Sequence, residues 1–366
     1  MEFQIERAAF LRPLQAIIGV VERRQTLPIL ANVLIEKTDD RVCLTATDLE
    51  VELKTDTPLE GGEPGHVTVP ARKLMDIVRN LPEDAMLSLR QEQERIVVRA
   101  GPSRFSLATL PADDFPTADD VEPSHRFSLP QGQLKWLIEK SHFAMALQDV
   151  RYYLNGLLLE LEPRRLRAVA TDGHRLALAA VPASEEAAEK TQVIVPRKGI
   201  QEMLRLLEDD DETVELDLGP GHIQVTLSGI RFTSKLIDGR FPDYQRVIPD
   251  EQGSFAVVDR ETLRKALVRA SILSNEKYRG VRFGFEADQL RIQSNNPEQE
   301  EAEEQVPASF NGEAMEIGFN ASYMLDALAA IDENTVQLYV RDANSSALIL
   351  GETLREARYV VMPMRL

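Results

Sequence analysis

A threefold internal repeat is the feature that most restricts how this chain can fold. Three stretches begin alike, each with a short predicted strand followed by a predicted helix, at residues 3–21, 127–143 and 255–272. The copies stay in step further along, because residues 44–48 correspond to residues 168–172 at an offset of 124. A second strand and helix follow in each copy, near residues 67–81, 193–207 and 317–331. The sequence therefore predicts one structural unit used three times.

The predicted unit combines helices with antiparallel strands. In the first helix, Phe10, Leu14 and Ile17 recur at the spacings of one buried helical face, and Pro13 predicts a kink. Between residues 222 and 227, apolar and polar side chains alternate as in a strand with one face on a core, and Val336, Leu338 and Val340 show the same alternation. We therefore predict an α+β fold in which each unit packs two helices on antiparallel sheets.

The length of the repeat suits independent domains. Three units of about 122 residues each are too long for a solenoid, whose repeats have 20–50 residues. Polar stretches that contain proline lie near residues 118–124 and 248–253, as linkers should, so the predicted domains are residues 1–123, 124–252 and 253–366. The repeat alone leaves open whether the domains follow one another in tandem or lie side by side in an arc.

The composition excludes several classes of protein. A net charge of −18 argues against a broad basic face that grips nucleic acid. No apolar run is long enough to span a membrane, and the N-terminus lacks the features of a secretory signal. Cys43 is the only cysteine, so neither an internal disulfide nor a cysteine-based metal site can form. These features favour a cytoplasmic protein that does not bind membranes.

Positive charge is concentrated on the predicted helices. The six helical stretches carry 16 basic and nine acidic side chains, a net charge of +7, which leaves −25 for the rest of the chain. Arginine and lysine are good helix formers, so a solvated helical face explains this distribution equally well. The functional interpretation is that the helices line a weakly positive channel while the outer surface stays acidic. Such a channel could hold DNA by enclosure and still slide, because phosphate contacts carry no sequence information.

A search for catalytic chemistry finds little. There is no phosphate-binding P-loop, and the five histidines share no metal-ligand spacing. The cluster Asp172-Gly173-His174 could orient a histidine for hydrolysis, but no serine or cysteine nucleophile accompanies it, and a tight turn at Gly173 is the simpler interpretation. The acidic run at residues 298–304 lacks the glycine and ligand spacing of a calcium loop. We predict no catalytic residue, no metal and no cofactor.

The same segments resemble the bacterial β sliding clamps along the whole chain. The resemblance is carried by residues 148–156 (QDVRYYLNG), 170–176 (ATDGHRL), 235–242 (KLIDGRFP), 273–277 (LSNEK) and 359–366 (YVVMPMRL). It implies a non-enzymatic, DNA-clamp fold with three similar domains per chain, in which a head-to-tail homodimer closes a six-domain ring around duplex DNA. The implied partners are DNA of any sequence, the replicative polymerase subunit, the clamp loader, and other polymerases and repair proteins.

The resemblance also implies a groove for partner peptides between the second and third domains. An apolar slot with arginine and asparagine at its rim suits peptides with leucine or phenylalanine anchors. Asn344 stands where many relatives have an apolar residue, which implies a more polar edge. The implied groove residues are Leu154, Thr171, Gly173, His174, Arg175, Leu176, Pro242, Arg246, Val247, Asn320, Tyr323, Ser346, Val360, Met362, Pro363, Met364 and Arg365.

Two further sets of residues follow from the resemblance. The residues implied to face DNA are Arg24, Arg72, Lys73, Arg79, Gln148, Tyr152, Tyr153, Arg197, Lys198 and Arg205. The residues implied at the dimer contact are Lys73, Arg104, Phe105, Leu107, Ile272, Leu273, Glu298, Glu300, Glu301 and Glu304. Pro102 occupies a place where a close relative would carry another arginine, which implies one ion pair fewer at that contact.

Two other function classes stay open on the residues alone. One is a protein-binding hub that uses the groove and never surrounds DNA, and the other is a hydrolase built around Asp172 and His174. Retention on nicked circular DNA, with loss when the circle is cut, would separate an encircling clamp from both. A hydrolase would also lose its activity in the variant His174→Ala.

Overall fold

The computed structural model describes residues 1–21, 27–118, 122–183 and 190–365. Each repeat contributes two helices: α1 (Arg7–Ile17) and α2 (Ala71–Asn80), α3 (Gln131–Glu139) and α4 (Arg197–Leu206), α5 (Arg260–Ser271) and α6 (Ala321–Ala330). The sequence predicts helices that begin near residues 10, 73, 134, 199, 263 and 323; all six are present, and each begins two or three residues earlier than predicted. The reason is that each helix follows a strand directly, as at Pro70 and Asn320. Helix α1 continues across Pro13.

The strands also repeat in order. The first repeat contains β1 (Glu2–Glu6), β2 (Asn32–Lys37), β3 (Arg41–Thr47), β4 (Val51–Pro58), β5 (Gly65–Pro70), β6 (Met86–Glu92), β7 (Arg95–Ala100) and β8 (Ser103–Ala108). The second contains β9 (His125–Pro130), β10 (Gly156–Glu162), β11 (Arg165–Thr171), β12 (Arg175–Pro182), β13 (Thr191–Pro196), β14 (Thr213–Gly219), β15 (His222–Leu227) and β16 (Ile230–Lys235). The third contains β17 (Ser254–Asp259), β18 (Gly280–Phe285), β19 (Gln289–Asn295), β20 (Glu301–Phe310), β21 (Met315–Asn320), β22 (Thr335–Val340), β23 (Ala347–Gly351) and β24 (Ala357–Val361).

The chain divides into two compact units that cut across the second repeat. One unit comprises Met1–Gly132 with Lys198–Leu236, and the other comprises Gln133–Arg197 with Ile237–Leu366. The first contains a four-stranded sheet in the order β1-β6-β7-β8 and an eight-stranded sheet in the order β5-β2-β3-β4-β16-β15-β14-β9. The second contains a twelve-stranded sheet in the order β13-β10-β11-β12-β24-β23-β22-β17-β20-β19-β18-β21. The pairings are antiparallel, as the alternating patterns predicted.

Consecutive repeats are joined by strand pairing inside each unit. In the first unit, β4 pairs with β16, with Val51 opposite Ser234. In the second unit, β12 pairs with β24, with Leu176 opposite Val360. Strands β4 and β12 hold the same place in their repeats, and so do β16 and β24. The two junctions are therefore built alike, each from the N-terminal half of one strand and the last strand of the next repeat.

An arginine at the first position of the first helix makes equivalent contacts in the first and third repeats. Arg7, the first residue of α1, donates from Nε to the Val78 carbonyl oxygen at 2.9 Å and from Nη2 to that of Arg79 at 2.7 Å. Arg260 holds the same position in α5 and donates from Nε to the Glu333 carbonyl at 2.8 Å, just beyond α6. Carbonyl groups in the last turn of a helix lack partners within the helix, so these arginines satisfy them. Each one ties the start of the first helix to the end of the second.

No helix in the described part of the chain is both long enough and apolar enough to cross a membrane.

Candidate functional site

A cavity of about 680 Å³ lies in the second unit, beside the junction of β12 and β24. Pairing of these strands brings Leu176 next to Val360. Leu154, from a short 3-10 helix at Tyr152–Leu154, lines the same cavity. Pro242 and Val247 line it from residues 241–248, which we call the linker wall, where the chain leaves the second repeat. The cavity thus has an apolar lining suited to leucine or phenylalanine side chains.

A buried apolar cluster supports this lining from below. Leu154, Leu176 and Val360 are buried in it together with Phe241 and Tyr244 of the linker wall. Tyr339 and Leu348 of the neighbouring strands belong to the same cluster. Because close-packed interiors transmit small shifts, the shape of the cavity depends on how the linker wall packs on the sheet.

The turn between β11 and β12 borders the cavity and is closed by its own polar side chains. The Asp172 carboxylate accepts hydrogen bonds from the backbone N–H groups of His174 at 2.9 Å and Arg175 at 3.0 Å. Gly173 has φ of +88°, a conformation that glycine adopts without steric cost. The tight turn predicted at Gly173 is therefore present. Asp172 is committed to the turn, which removes the group that would orient His174 in a hydrolase.

Arg175 lines the cavity, but its guanidinium is held by several partners. Nε donates to Asp172 at 3.1 Å, Nη1 to the Asp326 carboxylate, and Nη2 to the Phe143 carbonyl oxygen at 2.8 Å. The guanidinium also lies over the Tyr323 ring, 4.5 Å from its centroid. This side chain therefore links the turn to helix α6 and fixes one rim of the cavity.

Most of the predicted groove residues line this cavity. They are Leu154, Thr171, Gly173, Arg175, Leu176, Pro242, Arg246, Val247, Ser346, Val360 and Met362. The other six, His174, Asn320, Tyr323, Pro363, Met364 and Arg365, do not line it. The His174 carbonyl accepts from the N–H of Met362 at 2.9 Å, and the N–H of Met364 donates to Gly318 at 2.8 Å. Asn320 caps helix α6 through the N–H groups of Ser322 and Tyr323, and Pro363 and Arg365 follow Met362 along the chain.

Sequence reasoning missed several lining residues. Arg151, Tyr244, Tyr339 and Arg341 all line the cavity. Asn344, which the sequence placed at the edge of the groove, is exposed and lines the cavity as well. Arg151 donates to the Asp149 carboxylate at 3.0 and 2.8 Å and to the Asp172 carbonyl at 3.1 Å, so it connects the preceding loop to the turn. The apolar alternation of Val336, Leu338 and Val340 signalled a strand there, but it could not show that Tyr339 faces the cavity.

The residues predicted to face DNA fall into two groups. In the first group, Lys73 and Arg79 are exposed on α2, and Tyr152 is 56% exposed beside Tyr153 with ring centroids 5.7 Å apart. Gln148 is exposed with φ of +53°. Neither Lys73 nor Arg79 makes a side-chain ion pair with any residue that the structure describes. Arg24 lies outside the described residues.

The second group has partners within the chain. Arg205 donates to the carbonyl oxygens of Gln15 and Ala16 near the end of α1, and Lys198 pairs with Asp48. Arg197 donates from Nη2 to the Met145 carbonyl at 2.6 Å, and burial lowers the pKa of its guanidinium. Arg72 donates to the Val21 carbonyl. Each of these cations therefore has a hydrogen-bond or ion-pair partner within the chain, and Arg72 and Arg205 are exposed as well.

The residues predicted at the dimer contact lie on two strands with unpaired edges. Strand β8, with Arg104, Phe105 and Leu107, ends its sheet and pairs only with β7 among the described strands. Residues 301–307 of β20 pair with β19 on one side and with no described strand on the other, because β17 meets only residues 308–310.

Some of the predicted contact side chains near these edges are exposed, whereas others are bonded within the chain. Ile272 is 72% exposed just beyond α5, and Leu273 is partly exposed. Glu298, Glu300 and Glu301 are exposed. The Glu304 carboxylate, in contrast, is held by Arg269 at 2.7 and 2.6 Å.

No group of histidine, cysteine, aspartate or glutamate side chains in the described residues is arranged to hold a metal ion. Cys43 is buried, and burial raises the pKa of its thiol to about 11, so the thiol stays protonated and unreactive.

Comparison with known proteins assigns each of the three repeats to a domain of one protein family. The DNA polymerase III beta subunit profiles match residues 1–119 (N-terminal domain), 128–243 (central domain) and 245–365 (C-terminal domain). The chain belongs to the DNA polymerase III beta subunit family, the beta sliding clamps. It is accordingly a non-catalytic clamp with three clamp domains of α+β fold.

Individual relatives agree in sequence and in structure. The beta sliding clamp of Pseudomonas putida is 53% identical, and the alignment covers 100% of both chains. The crystal structure of the DNA polymerase III subunit beta from Pseudomonas aeruginosa superimposes with a TM-score of 0.98 at 53% identity, again over 100% of each chain. A second structure from that organism, bound to griselimycin, gives a TM-score of 0.96 at 53% identity and the same coverage.

Proposed function

We propose that this clamp closes around duplex DNA as a homodimer and tethers DNA polymerases through the 680 Å³ cavity. The observation that carries the proposal is that the same kind of strand junction occurs twice within the chain, as β4 with β16 and as β12 with β24. The equivalent strands of the first and third repeats, β8 and β20, each keep an unpaired edge. A clamp that holds DNA by enclosure needs no strong Coulomb attraction, which reconciles DNA binding with a net charge of −18.

The homodimer follows from the equivalence of the three repeats. Strand β20 holds the place in its repeat that β4 and β12 hold in theirs, and β8 corresponds to β16 and β24. The N-terminal halves of β4 and β12 are paired across junctions, whereas residues 301–307 of β20 have an open edge. A third junction of the same kind would pair β20 with β8 of a second copy. Two copies related in this way would pair both of these edges, β8 and residues 301–307 of β20, in each copy.

The contact set proposed for that third junction is the one predicted from the sequence. Phe105 and Leu107 of β8 would meet Ile272 and Leu273, with Lys73 and Arg104 facing Glu298, Glu300 and Glu301. Glu304 is already paired with Arg269 within the chain, so it adds less to the contact than the others. Exposed ion pairs contribute about 0–1 kcal/mol each, so apolar burial supplies most of the affinity.

The DNA contacts are assigned to the exposed side chains that make no side-chain hydrogen bond or ion pair within the described residues. Lys73, Arg79, Gln148 and Tyr152 meet that condition. The exposed ring of Tyr152 suits contact with sugar or an exposed base. The cations with partners inside the chain act mainly by holding helices and loops in place; they are Arg72, Arg197, Lys198 and Arg205. Arg24 is proposed as a DNA contact from the sequence alone.

The cavity is proposed to bind short peptide segments of partner proteins. Its apolar lining takes an apolar anchor, while Arg246 and Asn344 at the rim can bond to peptide backbone. The proposed partners are the replicative polymerase subunit, the clamp loader, and other polymerases and repair proteins. The related Pseudomonas aeruginosa clamp binds griselimycin, and we propose that this chain binds it in the same cavity. We place the clamp in the bacterial cytoplasm and keep the domain boundaries at 123/124 and 252/253.

The deciding experiment measures retention on circular DNA. Labelled protein is loaded on nicked circular DNA by its loader, and the complex is separated from free protein by gel filtration in high salt. We expect the protein to stay with the circle and to dissociate once a restriction enzyme makes the circle linear. Circles left uncut under the same conditions are the control. Release at the same rate from cut and uncut circles would contradict enclosure and favour a hub that binds peptides without surrounding DNA.

A further inference from the structure

The linker wall is held to the rest of the second unit by very few polar contacts. Its short 3-10 helix, Tyr244–Val247, carries Arg246 and Val247 toward the cavity lining. No backbone hydrogen bond joins residues 241–248 to another element in the part of the chain that the structure describes. The Arg246 guanidinium pairs with Asp243 at 2.7 Å, within the wall itself. The position of the wall therefore depends on the packing of Phe241, Tyr244 and Ile248 on the apolar cluster and on the polar contact of Tyr244.

Tyr244 makes a specific polar contact with the sheet. Its ring is 4% exposed and lines the cavity, and its hydroxyl donates to the Glu160 carboxylate on β10 at 2.5 Å. Glu160 is completely buried, although it carries a charge. Arg167 and Lys190 each lie 2.8 Å from a Glu160 oxygen, and Gln192 donates to the same carboxylate.

This network contributes little net free energy to the stability of the sheet. A buried carboxylate loses its hydration, and an apolar residue in its place often serves folding as well or better. The benefit of the carboxylate is geometric, because a hydrogen bond fixes both the distance and the direction of the group that it binds. Among the partners of Glu160, only Tyr244 belongs to the cavity lining.

We propose that the Tyr244 hydroxyl, anchored on Glu160, is a positioning group for partner binding: it holds the linker wall so that Pro242, Arg246 and Val247 fit the bound peptide. The inference deepens the proposed peptide-binding function and rests on it. Tyr244 acts through the wall, and its own hydroxyl is used by Glu160. Loss of the Tyr244 hydroxyl alone leaves the apolar cluster in place and lets the linker wall move.

The anchor does not titrate under ordinary conditions. Burial acts to raise the pKa of Glu160, but hydrogen bonds from Lys190, Tyr244, Gln192 and Arg167 outweigh it and lower the pKa to about 2. Burial and the bond to Glu160 together raise the pKa of Tyr244 to about 12. Donor and acceptor therefore keep their protonation states from mildly acidic to mildly alkaline solution.

The first test compares two variants that each remove one buried hydroxyl. Tyr244→Phe removes the anchor and keeps the ring. Tyr359→Phe is the matched control, because Tyr359 is 1% exposed, its hydroxyl donates to the Ala330 carbonyl at 3.4 Å, and it does not line the cavity. The probe is griselimycin, measured by surface plasmon resonance. We expect Tyr244→Phe to weaken binding about tenfold through faster dissociation, and Tyr359→Phe to change it less than about twofold.

A third variant separates positioning from general stability. In Glu160→Gln the side-chain oxygen can still accept the Tyr244 hydroxyl, while the bonds to two cations lose their charge. We expect this variant to melt at a lower temperature and yet to bind griselimycin within about twofold of the native chain. A purely structural role would make affinity follow melting temperature in all three variants, and that outcome would overturn the proposal.

A measurement without ligand tests the anchor even if the chain does not bind griselimycin. Limited trypsin digestion is used to follow cleavage after the exposed Arg246 in the native chain and in Tyr244→Phe, with Tyr359→Phe as the control. Faster cleavage at this position in Tyr244→Phe alone supports the anchor, and an unchanged rate in that variant refutes it. Absence of griselimycin binding by the native chain would instead contradict the proposed peptide site, so the two failures can be told apart.

Discussion

At the scale of single residues, the same turn occurs twice with different neighbours. The Asp48 carboxylate accepts from the N–H groups of Glu50 and Val51, just as Asp172 does from His174 and Arg175. The remaining oxygen of Asp48 pairs with Lys198, whereas that of Asp172 meets the Arg175 side chain. Equivalent aspartates thus form the turn in both repeats, and the cluster that looked catalytic in the sequence is a structural motif.

The acid sensitivity of the protein is also set by identifiable residues. The pKa of Glu160 is about 2 in the folded chain against 4.5 for an ordinary glutamate. A lowered folded-state pKa gives stability that is present above pH 4.5 and is lost as the pH falls toward 2. We therefore expect the melting temperature of the native chain to fall more steeply than that of Glu160→Gln over this range, as measured by circular dichroism. Parallel pH profiles would show that Glu160 is not responsible.

Single-residue roles were the least predictable part of the site. The sequence correctly placed basic residues on helices, but Arg205 bonds to Ala16, which lies 189 residues away along the chain. Charge counting cannot detect such a partner, because it depends on how the repeats pack. The same limit applies to Lys198 with Asp48. The apolar groove residues were easier to place, since strand alternation and the resemblance together located Leu176 and Val360.

At the scale of elements, the arginines that begin α1 and α5 control how the two helices of a repeat meet. We expect Arg7→Ala to lower the free energy of unfolding by about 1–3 kcal/mol, because two carbonyl groups at the end of α2 lose a charged donor. Urea denaturation measures the change. Arg12→Ala is the matched control, since Arg12 is exposed on the same helix. Equal losses in the two variants would show that the contact with α2 is unimportant.

Elements were predicted well wherever their pattern is periodic. The repeats, the six helices and the alternating strands β15 and β22 all follow from apolar spacing. The linker wall was not predicted as an element, since its 3-10 helix spans only Tyr244–Val247 and shows no periodicity. The division of the second repeat between two compact units was also invisible in the sequence, because strand pairing between repeats has no local signal.

At the scale of the whole molecule, the proposed dimer depends on apolar contacts near the open edges. We expect the double variant Ile272→Ala/Leu273→Ala to be monomeric in sedimentation velocity at micromolar concentration, because Ile272 is 72% exposed in the single chain and its truncation removes apolar area from the proposed contact. Leu354→Ala is the matched control, since Leu354 is 49% exposed elsewhere in the third repeat. A double variant that sediments as a dimer like the control would place the contact on another surface.

The two open edges also determine which assemblies can form. The free stretch of β20 carries Glu301, Glu303 and Glu304, so two such edges brought together repel each other, whereas β8 presents Arg104 and no acidic side chain. Self-pairing of two β20 edges is thereby disfavoured, which favours the proposed pairing of unlike edges. A ring closed in this way would have a direction, with two faces that differ. A polymerase held at one of those faces would always travel with the same orientation along the duplex.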